Sequence, residues 1–179
     1  MLYFVRHGQT NHNVNKLLAG RCDIPLNEKG IEQANEITIK TKNIKLDIIF
    51  CSPLIRPKQT CDIINKEHNA EVIVGDELIE RDFGIYESKE YSCIESDKAW
   101  NYYDDTYDKE MEPLKEVFKR VNKLLEEIKE GYKGKNILIV AHNDIGRAIH
   151  CCFNGIPENG ELLDISFSNA DIVEFGNFL

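Results

Sequence analysis

Apolar positions along the chain follow two alternating rhythms. Short apolar runs at Leu2 to Val5, Leu46 to Phe50, Val72 to Val74 and Ile137 to Ala141 predict strands, the first and last of them buried. Helical spacing fills the gaps between them. Asn27 caps a helix running to about Lys40, with Ile31, Ala34 and Ile37 on one face. Ser52-Pro53 predicts a second start, a capping hydroxyl followed by a first-turn proline; Pro57 moves that start later unless it too lies in the first turn. The strongest pattern follows Pro113. Leu114, Val117, Phe118, Val121, Leu124, Leu125 and Ile128 repeat at helical spacing, and Gly131 is the stop. A further helix is expected after Asn143 or Asp144, and the weak alternation from about Leu162 predicts added strands. Alternating strands and helices predict an α/β fold with a mostly parallel sheet, in one domain covering residues 1–179.

The segment from Tyr86 to Glu112 fits neither rhythm. It holds the only tryptophan, Trp100, and five of the seven tyrosines, and predicts an irregular, partly helical insertion (about 86–112) over one end of the sheet. Charge sharpens this picture. The chain carries a formal charge of -9, and nine acidic residues against three lysines fall between Glu87 and Glu112. Such a balance argues against nucleic acid and anionic membranes as partners. The apolar runs are too short to span a bilayer and no secretion signal is visible, so a cytoplasmic location is expected. Six cysteines, at 22, 51, 61, 93, 151 and 152, show no metal-type spacing and read as free thiols. Arginine is concentrated as well: five of the six, Arg6, Arg21, Arg56, Arg81 and Arg147, lie in or beside the motifs that follow.

Ligands of an open parallel sheet bind beyond the carboxyl ends of its strands. Three strands here run into polar residues at that end: Arg6-His7-Gly8, Ser52-Pro53-Leu54-Ile55-Arg56 and His142-Asn143. Were these ends neighbours, two imidazoles and two guanidinium groups would meet, a costly cluster unless an anion lies at its centre. A phosphoryl group suits it. A neutral imidazole can attack phosphorus and hold it as a phosphohistidine, provided its second nitrogen is fixed by a hydrogen bond. Gly8, without Cβ, is expected to let the backbone approach both.

The ordered segments R-H-G-Q-T-N-H-N, G-R-C-D-I-P-L-N-E-K-G-I-E-Q-A, S-P-L-I-R-P-K-Q-T, E-L-I-E-R-D-F-G-I-Y-E, V-A-H-N-D-I-G-R-A-I and F-S-N-A-D-I-V-E-F resemble the histidine phosphatase superfamily, also called the phosphoglycerate mutase-like family. The resemblance covers nearly the whole chain. It implies a three-layer α/β/α sandwich and no metal or cofactor. His7 becomes the nucleophile; Arg6, Arg56 and His142 hold the phosphoryl oxygens, with Asn13 a further ligand. Glu80 matches the acid that protonates the leaving group. Arg21 and Arg81 either border the pocket or form ion pairs, and Cys22 is read as a plain loop cysteine. The chain departs from the pattern after His142, where two small residues are usual and Asn143-Asp144 stand instead. The backbone N–H groups of Asn143 and its neighbour survive that change. Asp144 lies one place too late to match the acid phosphatase branch, whose R-H-G-x-R-x-P signature is absent, so Glu80 stays the acid with Asp144 next in line.

The expected function is a metal-independent phosphatase acting on a small phosphorylated metabolite, with a leaving group that is neutral, aromatic or cationic. Alternatives are a phosphoglycerate mutase or a non-catalytic phosphate-binding module. A monomer and a homodimer are both compatible with the sequence.

Overall fold

The computed structural model describes residues 1–176. A five-stranded sheet in the order β3-β2-β4-β1-β5 forms its centre. The strands are β1 (Leu2–Arg6), β2 (Ile48–Cys51), β3 (Glu71–Val74), β4 (Ile137–Ala141) and β5 (Ile172–Gly176). β1 to β4 run parallel and β5 lies antiparallel to β1. Side-chain alternation divides the core in two. Leu2, Phe4, Ile48, Phe50, Ile137 and Ile139 face α5 (Leu114–Gly131) and α6 (Asn143–Asn154). Tyr3, Val5, Ile49, Cys51, Leu138 and Val140 face α2 (Glu28–Thr41) and α3 (Ile55–His68). The result is the expected α/β/α sandwich. All seven apolar residues of the α5 stripe are buried.

Three expectations shift, each for a local reason. Ile31 is 43% exposed, and the buried face of α2 is Gly30, Ala34, Ile37 and Thr41. Gly30 takes that face because a Cβ there would meet the Gln9 carbonyl oxygen at 2.2 Å; the turn after β1 lies directly on α2. Ser52 does not cap α3. Its hydroxyl is bound to His142, and the helix begins at Ile55, whose N–H donates to Asp23 Oδ1 at 2.6 Å. Pro57 then falls in the first turn, where no intrahelical donor is missed. The second strand starts at Ile48 rather than Leu46, which is buried in the preceding loop.

Two one-turn helices complete the set, α1 (Asn11–Val14) and α4 (Ser96–Ala99). The 86–112 segment is built from short turns around α4, with Tyr91–Cys93 as a 3₁₀ turn, and packs Trp100, Met111 and Ile94 into the core. Of the strands expected in the tail, β5 is the one formed among the described residues.

Candidate active site

Register assembles the site. Arg6 pairs with Ala141, and Cys51 with Val140, so the residues that follow these strands emerge side by side. The His7 N–H donates to the Ala141 carbonyl at 3.0 Å and the Ser52 N–H to Val140 at 3.1 Å. The His7 and His142 rings consequently lie 5.2 Å apart, edge to face, and both residues are buried.

Neighbours fix the His7 tautomer. Nδ1 lies 2.8 Å from the Gly8 carbonyl, which needs a donor, and Nε2 lies 3.1 Å from Arg56 Nε–H, which needs an acceptor. The proton therefore sits on Nδ1 and the lone pair on Nε2. Burial, reinforced by the Arg56 and Arg6 charges, holds the His7 pKa well below the usual imidazole range, so the ring is neutral at physiological pH. Arg56 is fully buried and aimed by two carbonyls, Cys22 and Gly20, each 2.7 Å from a terminal nitrogen. Arg6 donates through Nη1 to Phe167 O at 2.7 Å, and its Nε has no partner among the described residues. His142 Nε2 meets the Ser52 hydroxyl at 2.7 Å. Ser52 is buried and its O–H has no other acceptor among the described residues, so it donates to Nε2 and leaves the proton on His142 Nδ1, a buried donor without a partner among those residues. Burial and the Arg56 charge push the His142 pKa well down too.

Glu80 lines the same cleft. Burial first, and the nearby Asp144 carboxylate second, raise its pKa to about 7, against the opposing pull of the Arg81 N–H, Arg56 and Arg6. Its Oε1 accepts from the Arg81 N–H at 3.0 Å. A carboxyl half-protonated near neutrality is suited to giving up a proton and then taking one.

The remaining candidates divide. Asn13 lines the cleft, with Oδ1 accepting from the Thr10 N–H at 2.9 Å in a capping box. Asn143 lines it too, with its Oδ1 accepting from the Phe167 N–H at 3.0 Å. Arg81 does not border the cleft. Its buried guanidinium donates to the carbonyls of Glu112 (2.7 Å) and Ala99 (2.6 Å), tying down the 86–112 segment. Arg21 is also outside, in a shallow depression where it pairs with Glu112 at 3.2 Å and Asp82 at 3.5 Å. The reason for Gly8 changes as well: a Cβ there would meet the Gly30 carbonyl oxygen at 2.4 Å, so the absent side chain serves packing on α2. Cys22 donates to Glu87 at 3.1 Å, and burial pushes its thiol pKa up, away from reactivity.

Sequence reasoning missed part of the wall. Phe83, Tyr91, Trp100 and Arg147 line the cleft together with His7. Trp100 Nε1 donates to Asp144 Oδ1 at 2.9 Å, Arg147 Nη1 binds the same oxygen, and the Arg147 guanidinium lies over the Trp100 ring at 5.6 Å. Asn169 was also missed; its amide donates to the His7 carbonyl at 2.9 Å. The aromatic density of the insertion was the available signal, but an irregular segment has no period from which to tell inward from outward rings. Among the described residues, no group of three or more His, Cys, Asp or Glu side chains is placed to hold a metal ion. No helix there is long and apolar enough to cross a membrane.

The family model of the histidine phosphatase superfamily (branch 1) matches residues 2–176. The chain belongs to that superfamily. It is 35% identical over 176 residues to a Bacillus subtilis protein named as an uncharacterized phosphatase, PhoE, covering 95% of this chain and 87% of the relative. It is 30% identical over 186 residues to Escherichia coli GpmB, named as a probable phosphoglycerate mutase, covering 97% of this chain and 85% of the relative. In structure it superposes on a mycobacterial glucosyl-3-phosphoglycerate phosphatase in complex with VO3, with a TM-score of 0.84 and 22% identity, over 96% of this chain and 88% of that one. Thus the superfamily's phosphatase and mutase names both occur among the proteins this chain is similar to.

Proposed function

We propose that this chain is a phosphatase of small phosphate monoesters that works through a phosphohistidine on His7, without a metal. The observation that carries the reading is the locked His7 ring, Nδ1–H on Gly8 O and lone pair on Nε2, in one cleft with a Glu80 carboxyl whose pKa is about 7. As the Arg56 Nε–H turns from Nε2 to a phosphoryl oxygen, Nε2 attacks phosphorus and the P–O ester bond breaks. Arg6 Nε–H, His142 Nδ1–H and the Arg56 donors meet the phosphoryl oxygens, over which the charge is spread. Glu80 gives its proton to the departing alkoxide. Its carboxylate then takes a proton from water, whose oxygen attacks phosphorus; the P–N bond breaks and His7 is restored, with phosphate released.

Water rather than a second phosphorylated acid is the acceptor in this reading because of the charge on the segment that supplies Tyr91 and Trp100 to the cleft. The segment from Glu87 to Glu112 carries nine acidic residues and three lysines, which opposes entry of a polyanion such as a bisphosphate. The neutral imidazoles and the Glu80 carboxyl argue for turnover over a purely binding role. The test is rapid quenching with labelled monoester. An acid-labile, alkali-stable label on His7, with phosphate released each cycle, is the expected result. No label on His7 removes the proposal, and bisphosphoglycerate turned over well above simple monoesters replaces it with a mutase.

A further inference from the structure

Three buried side-chain atoms have no hydrogen-bond partner among the described residues: Arg6 Nε, His142 Nδ1 and Asp144 Oδ2. Arg6 and Asp144 line the cleft, and the His142 ring packs on His7, which lines it as well. A buried polar atom without a partner costs free energy unless a ligand supplies one, so such atoms outline in negative what the site receives. Two of the three are donors and match phosphoryl oxygens. The third is an acceptor, and a phosphoryl oxygen cannot satisfy it.

Asp144 is 2% exposed. Its Oδ1 is occupied by Trp100 Nε1–H at 2.9 Å and by Arg147 Nη1–H, which leaves Oδ2 as its acceptor for the cleft. Charge restricts the matching donor. Arg147 offsets Asp144, Arg6 and Arg56 offset a monoester dianion, and Glu80 as proton donor is uncharged, so a further charge on the leaving group would stand unbalanced. Phe83, Tyr91 and Trp100 line the same cleft, with Trp100 bonded to Asp144 and the other two rings packed on Trp100, suited to the carbon skeleton that carries such a donor.

Resting on the phosphatase reading, we propose that Asp144 Oδ2 is a specificity site that accepts a hydrogen bond from a hydroxyl of the leaving group, which makes the substrates phosphate monoesters of neutral polyols or sugars. Asp144 touches the substrate in this account as an acceptor, and proton transfer stays with Glu80. The substitution of an acid for a small residue after His142 thereby gains a role.

Three monoesters of equal carbon number test this: glycerol 3-phosphate, propyl phosphate and 3-aminopropyl phosphate, with 4-nitrophenyl phosphate as control. The expected wild-type kcat/KM is about 10- to 100-fold higher for glycerol phosphate than for propyl phosphate, the range for one hydrogen bond to a charged acceptor. Aminopropyl phosphate should not exceed glycerol phosphate. In Asp144→Asn the oxygen stays with Trp100 and Arg147 and an N–H₂ replaces Oδ2, so the glycerol-to-propyl ratio should fall to about one or below. Because the readout is a ratio, any effect of the substitution on Glu80 cancels. A wild-type ratio near one, a higher rate with the amine than with glycerol phosphate, or an unchanged ratio in Asp144→Asn overturns the inference. Turnover of the nitrophenyl ester alongside any of these leaves the phosphatase reading standing; no turnover of any ester removes both.

Discussion

The phosphate end of the cleft and the wall facing it are built by different means. Arg6, His7, Ser52 and His142 sit at or just beyond the ends of three adjacent parallel strands, and sheet register alone brings them together. Phe83, Tyr91 and Trp100 come from irregular chain, held in place by Arg81 on two carbonyls and by Glu112 on Arg21 and Arg120. The electrostatics invert as well. At the phosphate end, burial and arginine charge depress two imidazoles. At the opposite wall, burial and a neighbouring carboxylate raise Glu80. In the proposed mechanism one end meets an anion as a neutral nucleophile, and the other keeps a proton near pH 7. The contrast teaches that burial works on both ends alike, favouring the uncharged form, and that this gives a base at one end and an acid at the other.

The largest expected effect breaks the phosphate end. His7→Ala removes the attacking nitrogen, and turnover should drop by on the order of 10⁴-fold or more with no label retained after quenching. Next comes the opposite wall. Glu80→Gln should slow alkyl phosphates by about 10²- to 10⁴-fold and nitrophenyl phosphate far less, because that leaving group needs little protonation. Equal slowing of both esters would take the acid's role away from Glu80.

The pH profile sharpens the inversion. For alkyl esters, kcat/KM should fall as pH rises through about 7, where Glu80 loses its proton, and hold on the acid side to well below pH 6.5, where His7 still stays neutral. Asp144→Asn removes the charge that helps raise Glu80, so the falling limb should move to lower pH. Stability carries the same signs. The raised Glu80 pKa contributes stability that is complete below the unfolded value of 4.5 and lost as pH rises through about 7. The depressed imidazole pKa values contribute stability present above 6.5 and lost as pH falls through their folded values. Thermal melts across pH 4 to 9, for wild type and Glu80→Gln, check this; the variant should lack the loss on the alkaline side.

The smallest effect concerns Arg21. Its side chain is 40% exposed and outside the cleft, so Arg21→Ala should change stability by about 0.2–1 kcal/mol and kcat/KM by less than about twofold. A tenfold loss in kcat/KM would place it in the site after all.

How much was legible follows the same division. The α5 stripe was readable residue by residue, since a helix against a sheet leaves a 3.6-residue period in the sequence. His7, Arg56, Glu80 and His142 were readable because they sit in ordered motifs. Arg21 and Arg81 stand in motifs too, yet one lies on the surface and the other is consumed by carbonyls. A motif gives proximity along the chain, not the direction of a side chain. Ile31 obeyed the helical period of α2 and is still exposed, because the turn after His7 claimed the neighbouring glycine face.

By itself the sequence determined the alternation of strands and helices, the residue types at the strand ends and the charge that surrounds them. These depend on local periodicity and composition, which each segment carries with it. The tertiary structure alone decided which nitrogen of His7 carries the proton, which rings of the insertion face inward, and that among the described residues one oxygen of Asp144 is left without a donor. Each of those depends on partners 44 or more residues away or on the exclusion of water from a packed cleft, and no short stretch of sequence records either.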